Sequence, residues 1–434
     1  MKFIPITGLM MLMFASAGVS QELLTLEKAV SIGLANNFGI IMARQSQQIA
    51  HNNASPGNAG MLPGVNVNAG YVNGLSNALV QVVTGSELDN SSAHSNLITA
   101  GVALDWTIFD GLNMFITWDK LKNLEEASEL SAKITVENTT AKIIGSYYDI
   151  IREERVQQIM GEQVMISKFR LDLAKMRFET GTGSEMEYLK ARVELNADVS
   201  DLSNQQTISE NSKTTLNDLL SRDVNTPFIV KDSILVSGQL KYDSLRASMK
   251  SANRNILLAI RNKQVGQLEL KSARANQWPT LDFYANYNYY RSETEANFVK
   301  YNRNYGPSFG LTLNMKLFDG LNLTRKYQNA AISLQTSEVE IKQLENRLEA
   351  YLARIFNDYR NQIQMIGFEQ ENLMLAKRNM DIAKESYAIG SISSLQLREV
   401  QQNLLDAGTR LVSAEFKAKL TETELLLLSG KLIK

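Results

Sequence analysis

Residues 109–113, Phe-Asp-Gly-Leu-Asn, recur unchanged at 318–322. Gly181, in Phe178-Glu179-Thr180-Gly181, has its counterpart in Gly390, in Tyr387-Ala388-Ile389-Gly390, and each Gly lies 72 residues after its Phe. The common offset of 209 residues means two copies of one long unit, with no net insertion between the landmarks. Self-similarity at a fixed spacing identifies an architecture before any single residue does, and solenoid periods run only to about 50 residues, so the pattern reads as a gene duplication.

The interval between the landmarks reads as helix. Residues 64–226 and 308–434 contain no proline, which leaves both tracts free of the residue that breaks helix interiors. They are rich in Glu, Lys, Gln, Ala and Leu, all good helix formers. Leu334, Ile341, Leu348 and Ile355 fall seven apart, with Leu344 and Tyr351 at the companion position; the seam then jumps eleven residues to Ile366 and resumes at Leu373, Met380 and Tyr387. Val164, Leu171 and Phe178 repeat the last stretch in the first copy. A heptad interrupted by a four-residue stutter describes a locally unwound coiled coil. Seventy-two residues of helix would reach roughly 108 Å.

Upstream of each Phe-Asp-Gly the period becomes two. Val102, Leu104, Trp106 and Ile108 alternate with Ala103, Asp105 and Thr107, and Leu311, Leu313, Met315 and Leu317 alternate with Thr312, Asn314 and Lys316. A partner strand precedes each: Val65, Val67, Ala69 and Tyr71 in the first copy, Leu281, Phe283, Ala285, Tyr287 and Tyr289 in the second. One apolar and one polar face over about ten residues suits an outer-membrane barrel strand, and equally a half-buried strand of a soluble sandwich. The aromatic residues around the second pair, Trp278, Phe283, Tyr284, Tyr287, Tyr289 and Tyr290, favour a membrane interface. So do the polar joining segments, about 77–96 and 292–304, which are long for hairpin turns. Four strands cannot close a membrane barrel, whose smallest form has about eight, and an open edge cannot sit in lipid. Membrane strands would therefore require the chain to oligomerise.

The N-terminus reads as a secretory leader: Lys2, an apolar stretch from Phe3 to Phe14, and Ala15-Ser16-Ala17 as an A-x-A site, with cleavage after Ser20 also compatible. Beyond it no apolar run of about 18 residues predicts a transmembrane helix. The chain has no cysteine, hence no disulfide, thiolate metal site or lipid-modified cysteine. A net charge of -1 with well-mixed signs implies no nucleic-acid surface. The two histidines, His51 and His94, lack ligand-like spacing. No H-E-x-x-H, G-x-S-x-G or Walker sequence occurs, and Gly181-Thr182-Gly183 lacks the third glycine and preceding strand of a dinucleotide site. No catalytic, cofactor or metal residue is expected, and the chain reads as a non-enzyme.

Past each glycine comes a capping box, Ser184-Glu185-Met186-Glu187 and Ser393-Ser394-Leu395-Gln396. The glycine supplies a left-handed C-cap, the serine caps the next helix, and Glu187 or Gln396 is expected to reach back to it. The organisation predicted is a leader at 1–20 and a first repeat at 21–220, comprising a helix about 25–55, strands about 63–75 and 97–109, a long helix 110–180 and a helix 184–220. A crossover follows at 221–243, with strand-like Phe228-Ile229-Val230 and Ile234-Leu235-Val236. The second repeat, 244–434, comprises a helix about 243–276, strands about 279–291 and 305–318, a long helix 319–389 and a helix 393–430.

This order, strand, strand, Phe-Asp-Gly, long helix, Gly-x-x-Ser hairpin and helix, given twice behind a leader, resembles the TolC family of outer-membrane efflux proteins over essentially the whole mature chain. The residues that carry the resemblance are Phe109, Asp110, Gly111, Phe318, Asp319 and Gly320 at the strand-to-helix junctions, with Tyr387, Gly390 and Ser393, and more weakly Phe178, Gly181 and Ser184, at the hairpins. It implies a mixed α/β membrane protein and a homotrimer, whose twelve-stranded outer-membrane β-barrel continues into a long periplasmic α-helical barrel. The protein would be an exit duct in the outer membrane of a Gram-negative bacterium, extending into the periplasm. Its partners would be a periplasmic membrane-fusion adaptor, an inner-membrane transporter and outer-membrane lipid, with no cofactor.

By the same resemblance Gly181, Ser184, Gly390 and Ser393 would form the periplasmic tip that docks the adaptor. Met186, Glu187, Tyr387, Ile392, Gln396 and Glu399 would line its constriction. The chain departs from the family pattern at Ile392, where an arginine is expected, and at Gln396, where an acid is. For Glu187 and Gln396 the capping box is an alternative role, and for Glu399 a solvated helix face is. The competing reading of the whole chain is a non-conducting periplasmic coiled-coil scaffold or adaptor.

Overall fold

The computed structural model describes residues 22–231, 233–296 and 299–433; the leader expected at 1–20 lies outside the described residues. In chain order the elements are β1 (Glu22–Leu23), α1 (Leu26–Asn36), α2 (Phe38–Asn53), β2 (Gly64–Gln81), β3 (Glu87–Phe109), α3 (Asn113–Glu179) and α4 (Glu185–Leu219). They continue with β4 (Phe228–Ile229), α5 (Tyr242–Ala252), α6 (Arg254–Ala275), β5 (Thr280–Thr294), β6 (Tyr301–Asn314), α7 (Asn322–Ala388) and α8 (Ser394–Leu428). The two long helices, α3 and α7, are 67 residues each. No described helix is long and apolar enough to cross a membrane.

The opening helix of each copy differs from the sequence reading, which expected one continuous helix. Each is broken once, at Asn37 and at Asn253. The cause is the same asparagine chemistry in both. Asn37 Nδ2 donates to the carbonyl of Leu219 at 2.9 Å, and Asn253 Nδ2 to that of Leu428 at 2.9 Å. Asn253 Oδ1 also accepts from the backbone N–H groups of Asn255 and Ile256, capping α6. An Asn side chain that bonds backbone competes with the helix at its own position. The two asparagines are 216 residues apart, against 209 for the later landmarks.

The chain groups into two compact units. One contains Thr139–Leu240, Ile355–Glu424 and the chain up to Phe38. Its core is built around Leu24, Ile143, Tyr147, Ile150, Leu216 and Phe228. β1 pairs in parallel with β4, and Tyr147 donates from its hydroxyl to the carbonyl of Leu24 at 3.0 Å. Of the two strand-like pieces expected in the crossover, Phe228–Ile229 forms a strand and Ile234-Leu235-Val236 does not.

The other unit contains Gly39–Asn138, Lys241–Arg354 and the C-terminal residues from Leu425. It holds a four-stranded antiparallel sheet in the order β2-β3-β5-β6. β2, β3 and β5 are longer than the sequence pattern suggested, and β6 keeps the expected length but is shifted, ending at Asn314 so that Met315 and Leu317 lie past it; the joining segments are shorter, 82–86 and 295–300 in place of about 77–96 and 292–304. Alternation stops near the strand tips, yet backbone pairing continues through polar residues such as Asn73 opposite Asn96. The odd-numbered residues of β2, among them Val65, Val67 and Tyr71, share one exposed apolar face with Val102, Trp106, Tyr287, Leu311 and Leu313. The opposite face carries Asn66, Asn68, Asp282, Asn286, Asn288 and Thr312. Thr107 bonds Asp282 there at 2.8 Å.

The heptad seam of α7 also differs from its sequence reading. Leu352, Tyr359, Met380 and Tyr387 are buried, and with Ile366 and Leu373 they form an unbroken series at seven-residue spacing. The stutter is thus the four-residue step from Leu348 to Leu352, and no eleven-residue gap exists. Tyr359, whose hydroxyl donates to the carbonyl of Ser237, was hidden by its polar group.

Candidate functional site: the paired helical hairpins

Both helical hairpins lie in the first unit. Gly181 has φ +73° and Gly390 φ +78°. In this region a Cβ meets the following carbonyl, so glycine closes the helix without strain. The N–H groups of Thr182 and Gly183 both return to the carbonyl of Arg177 at 2.9 Å, and that of Ser391 to the carbonyl of Ser386 at 2.8 Å. These are C-caps that satisfy the last carbonyls of α3 and α7. Ser184 then caps α4, its side chain accepting from the Glu187 N–H at 3.2 Å. Ser393 caps α8, its hydroxyl accepting from the Gln396 N–H at 3.3 Å.

Only the second capping box closes as expected. Gln396 Oε1 accepts from the Ser393 N–H at 2.8 Å. Glu187 does not return to Ser184. Its Oε1 accepts instead from the Tyr387 hydroxyl at 3.2 Å, across to the other copy. A phenol is a better partner for a carboxylate than one more backbone N–H that water can reach, and this one is held in place. Tyr387 is fully buried, among Ile166, Met380, Ala383 and Leu397, with Ile392 packed at the margin. Burial raises the Tyr387 pKa above its ordinary value, and the Glu187 charge raises it further. The hydroxyl therefore stays protonated and able to donate.

Arg177, in the last turn of α3, completes the arrangement. Its guanidinium lies 4.9 Å from the centroid of the Tyr387 ring and donates to the carbonyl of Tyr387 at 2.5 Å and of Ala388 at 3.4 Å. A cation on the terminal carbonyls of a helix is doubly favourable, by hydrogen bonding and by the dipole. One arginine from the first copy thus caps the long helix of the second.

Farther along these helices runs a buried polar network. Arg170, 1% exposed, donates to Gln401 Oε1 at 2.8 Å and to Glu194. Gln401 Nε2 donates to Ser167 Oγ at 2.6 Å, and Ser167 donates to Asp198. Asp198 is held by both terminal nitrogens of Arg398, at 2.8 and 2.9 Å. A bidentate fork of this kind is the strong form of the ion pair. It ties α3, α4 and α8 together. Burial lowers the pKa of Arg170, with the Arg398 charge acting in the same direction.

Of the expected tip residues, Glu187, Tyr387 and Ile392 are brought together at this cluster. Met186 is 77% exposed, and Gln396 and Glu399 are also exposed. Arg177, Arg170, Asp198, Arg398 and Gln401 were not anticipated. Arg177 carried a usable signal, a cation four residues before a C-capping glycine. The others are polar residues whose burial no local pattern reveals.

The two strand-to-helix junctions lie in the second unit. Gly111 and Gly320 share nearly the same φ, +72° and +68°, each followed by a leucine of positive φ. Asp319 Oδ2 accepts from the Leu323 N–H at 2.9 Å, capping α7. Asn113 at the start of α3 instead accepts from Ser272 of α6 at 2.6 Å. Among the described residues no cluster of His, Cys, Asp and Glu could hold a metal ion.

A family model described as outer membrane efflux protein matches the chain twice, over residues 29–222 and 245–431. Protein CyaE of Bordetella pertussis is 24% identical over 264 residues, 60% of this chain and 55% of CyaE. The proteases secretion protein PrtF of Dickeya chrysanthemi is 26% identical over 166 residues, 38% of this chain and 35% of PrtF. The chain thus spans about half the length of the first relative and about a third of the second. The CmeC outer membrane channel of Campylobacter jejuni shares the fold at a TM-score of 0.75 and 16% identity, covering 94% of this chain and 86% of CmeC.

Proposed function

As the chain belongs to the outer membrane efflux protein family, we propose that it is the outer-membrane exit duct of a tripartite efflux or type I secretion system. It conducts substrates passively from an inner-membrane pump, through a periplasmic adaptor, to the exterior. The observation that carries this reading is the sheet: four strands with an apolar outer face, a polar inner face and two unpaired edges. Lipid tolerates such a sheet only when it is closed into a barrel. Three chains supply twelve strands, and their long helices enclose the periplasmic part of the duct.

In this reading the hairpins at Gly181 and Gly390 are the periplasmic tip. Their glycines, with Ser184 and Ser393, present a surface that an adaptor hairpin can approach closely. The bond from Tyr387 to Glu187, and Arg177 on the end of α7, hold the two hairpins of one chain together. With Ile392 in place of an arginine, Arg177 takes over the cationic role at the tip. Glu399, exposed on α8 and present once per chain, supplies an acidic ring that favours cations, and Met186 and Gln396 line the same mouth.

The test is export in a strain lacking the chromosomal copy and complemented with variants. Gly181→Val and Gly390→Val force a β-branched side chain into the left-handed region, at about 1–2 kcal/mol each, and should lower export about tenfold while the protein still inserts in the outer membrane. Wild-type export by both variants would remove the tip from the mechanism.

A further inference from the structure

The apolar face of the second β-hairpin changes character once along its length. From Leu281 opposite Leu313 to Tyr289 opposite Tyr305, every second residue of both strands is apolar or aromatic. The next pair on the same face, two residues nearer the strand tips, is Arg291 opposite Arg303. Like charges directly opposed across strands are destabilising, and an anion between them relieves the repulsion.

The chain neutralises only one of the two. Arg291 donates to Glu293 Oε1 at 2.5 Å. Arg303 lies 5.9 Å from the centroid of the Tyr305 ring, and no carboxylate pairs with it among the described residues. Glu295, the next carboxylate toward the tip, accepts from the backbone N–H of His94 at 3.3 Å. Two guanidinium charges against the one carboxylate of Glu293 leave the patch positive. Arg291 also lies 5.5 Å from the centroid of the Tyr301 ring. Each guanidinium thus rests on a tyrosine, which orients it while leaving N–H donors free.

The height of the pair on the sheet says what meets it. Arg291 is ten residues past Leu281. Strands rise about 3.4 Å per residue; tilted by about 40°, ten residues climb about 26 Å, against an apolar barrel band of about 25 Å. Tyr289 and Tyr305 then fall at the interface, where aromatic rings collect, and the arginines at the level of the headgroups. On the same row Ile98 pairs with Arg291, and Tyr71 pairs with Ile98; both side chains are exposed. Apolar surface therefore reaches the cations from beside and from below, which suits a phosphate carried on acyl chains and adds nothing for a free one.

The first hairpin has no such pair. The offsets that align the hairpins are 216 residues for β5 on β2 and 209 for β6 on β3, and they bring Arg291 to Leu75 and Arg303 to His94, which are themselves opposed. The cations belong to one copy and are not a by-product of the duplication.

We propose that Arg291 and Arg303 bind the phosphorylated headgroup of an outer-leaflet glycolipid. The two guanidinium forks close on one phosphate, a geometry in which arginine excels, and the acyl chains lie along Ile98, Tyr71 and the tyrosine rings. The turns joining the strands lie at the ends opposite the helix junctions, so in the duct reading they face the exterior. The inference rests on that reading and adds a lipid site to it.

Native mass spectrometry of the purified full-length protein in detergent tests it. The probes are bisphosphorylated lipid A, the same lipid with its phosphates removed, and inorganic phosphate. The wild type should bind the phosphorylated lipid at least tenfold more tightly than the dephosphorylated one, and equimolar inorganic phosphate should not displace it. Arg291→Gln combined with Arg303→Gln should abolish that preference. Arg303→Lys should keep part of it, since the charge stays and the fork is lost. Lys231→Gln, at an exposed position of the crossover, should leave it unchanged. No preference in the wild type would overturn the site without recourse to any variant, and so would a full preference in the double variant. Displacement by inorganic phosphate would overturn the lipid as occupant. The duct reading fails separately: protein released with the periplasm would overturn both, whereas outer-membrane protein without lipid preference would overturn the headgroup site alone.

Discussion

The two helical hairpins have the same backbone and different side-chain economies. Gly181 and Gly390 close their helices alike, and Ser184 and Ser393 begin the next ones alike. The second hairpin is self-contained, with Gln396 returning to Ser393. The first is outward-looking: Glu187 bonds Tyr387 and Arg177 caps α7, both in the other copy. The aromatic positions diverge in step. Phe178 stacks on Tyr188 at 5.9 Å with nearly parallel rings, whereas its counterpart Tyr387 is buried against Leu397. The buried network is equally one-sided, since the counterparts of Arg170, Glu194 and Asp198 under the 209-residue offset are Asn379, Asn403 and Ala407. A duplicated unit keeps the residues that dictate backbone shape and spends its freedom on contacts between the copies. A pair of identical hairpins would have no reason to choose one mutual arrangement.

The largest break in this comparison should come from Asp198→Ala. It removes the forked partner of the partly exposed Arg398 and leaves the buried Ser167 hydroxyl without its acceptor, and hydrogen bonds to charged groups contribute about 1.5–3 kcal/mol each. Hydrogen exchange of α4 and α8 in the purified protein should rise correspondingly, and unchanged protection would show that the network contributes little. Arg177→Met keeps the apolar stem and removes the charge. It forfeits charge-assisted bonds to the α7 carbonyls and the ring contact, together about 2 kcal/mol. Exchange should increase at the end of α7 and leave the Gln396–Ser393 cap unaffected; equal loosening of both hairpins would contradict the asymmetry. Tyr387→Phe has the smallest effect, about 1 kcal/mol for one hydrogen bond, and should be separable by pH. The folded-state pKa of Tyr387 is raised, so its contribution is complete below the unfolded value of about 10 and is lost as pH rises through the folded value. The wild type should therefore loosen at alkaline pH by an increment that the Phe variant lacks.

The sequence made the repeated scaffold legible because its signals are local. Phe-Asp-Gly, the capping glycines and the period-two stretches each act through a few neighbouring residues. The breaks at Asn37 and Asn253 were not legible, since they depend on the carbonyls of Leu219 and Leu428, far along the chain. The polar ends of the strands were read as loop because alternation fades there while backbone pairing does not. At the first helical hairpin, Glu187 had two available roles, and local spacing favoured the capping box. What decided against it was the burial of Tyr387 some 200 residues away, a tertiary fact. Arg170 and Gln401 look like surface residues of a coiled coil until their partners on neighbouring helices are known.

The most direct test of the account is single-channel conductance in planar bilayers, comparing purified wild-type oligomer with the Arg177→Met, Tyr387→Phe double variant. A duct whose tip is held by contacts between the two copies predicts discrete, cation-selective steps from both proteins, larger in the double variant. Intact oligomers that insert and yet conduct in neither form would contradict it.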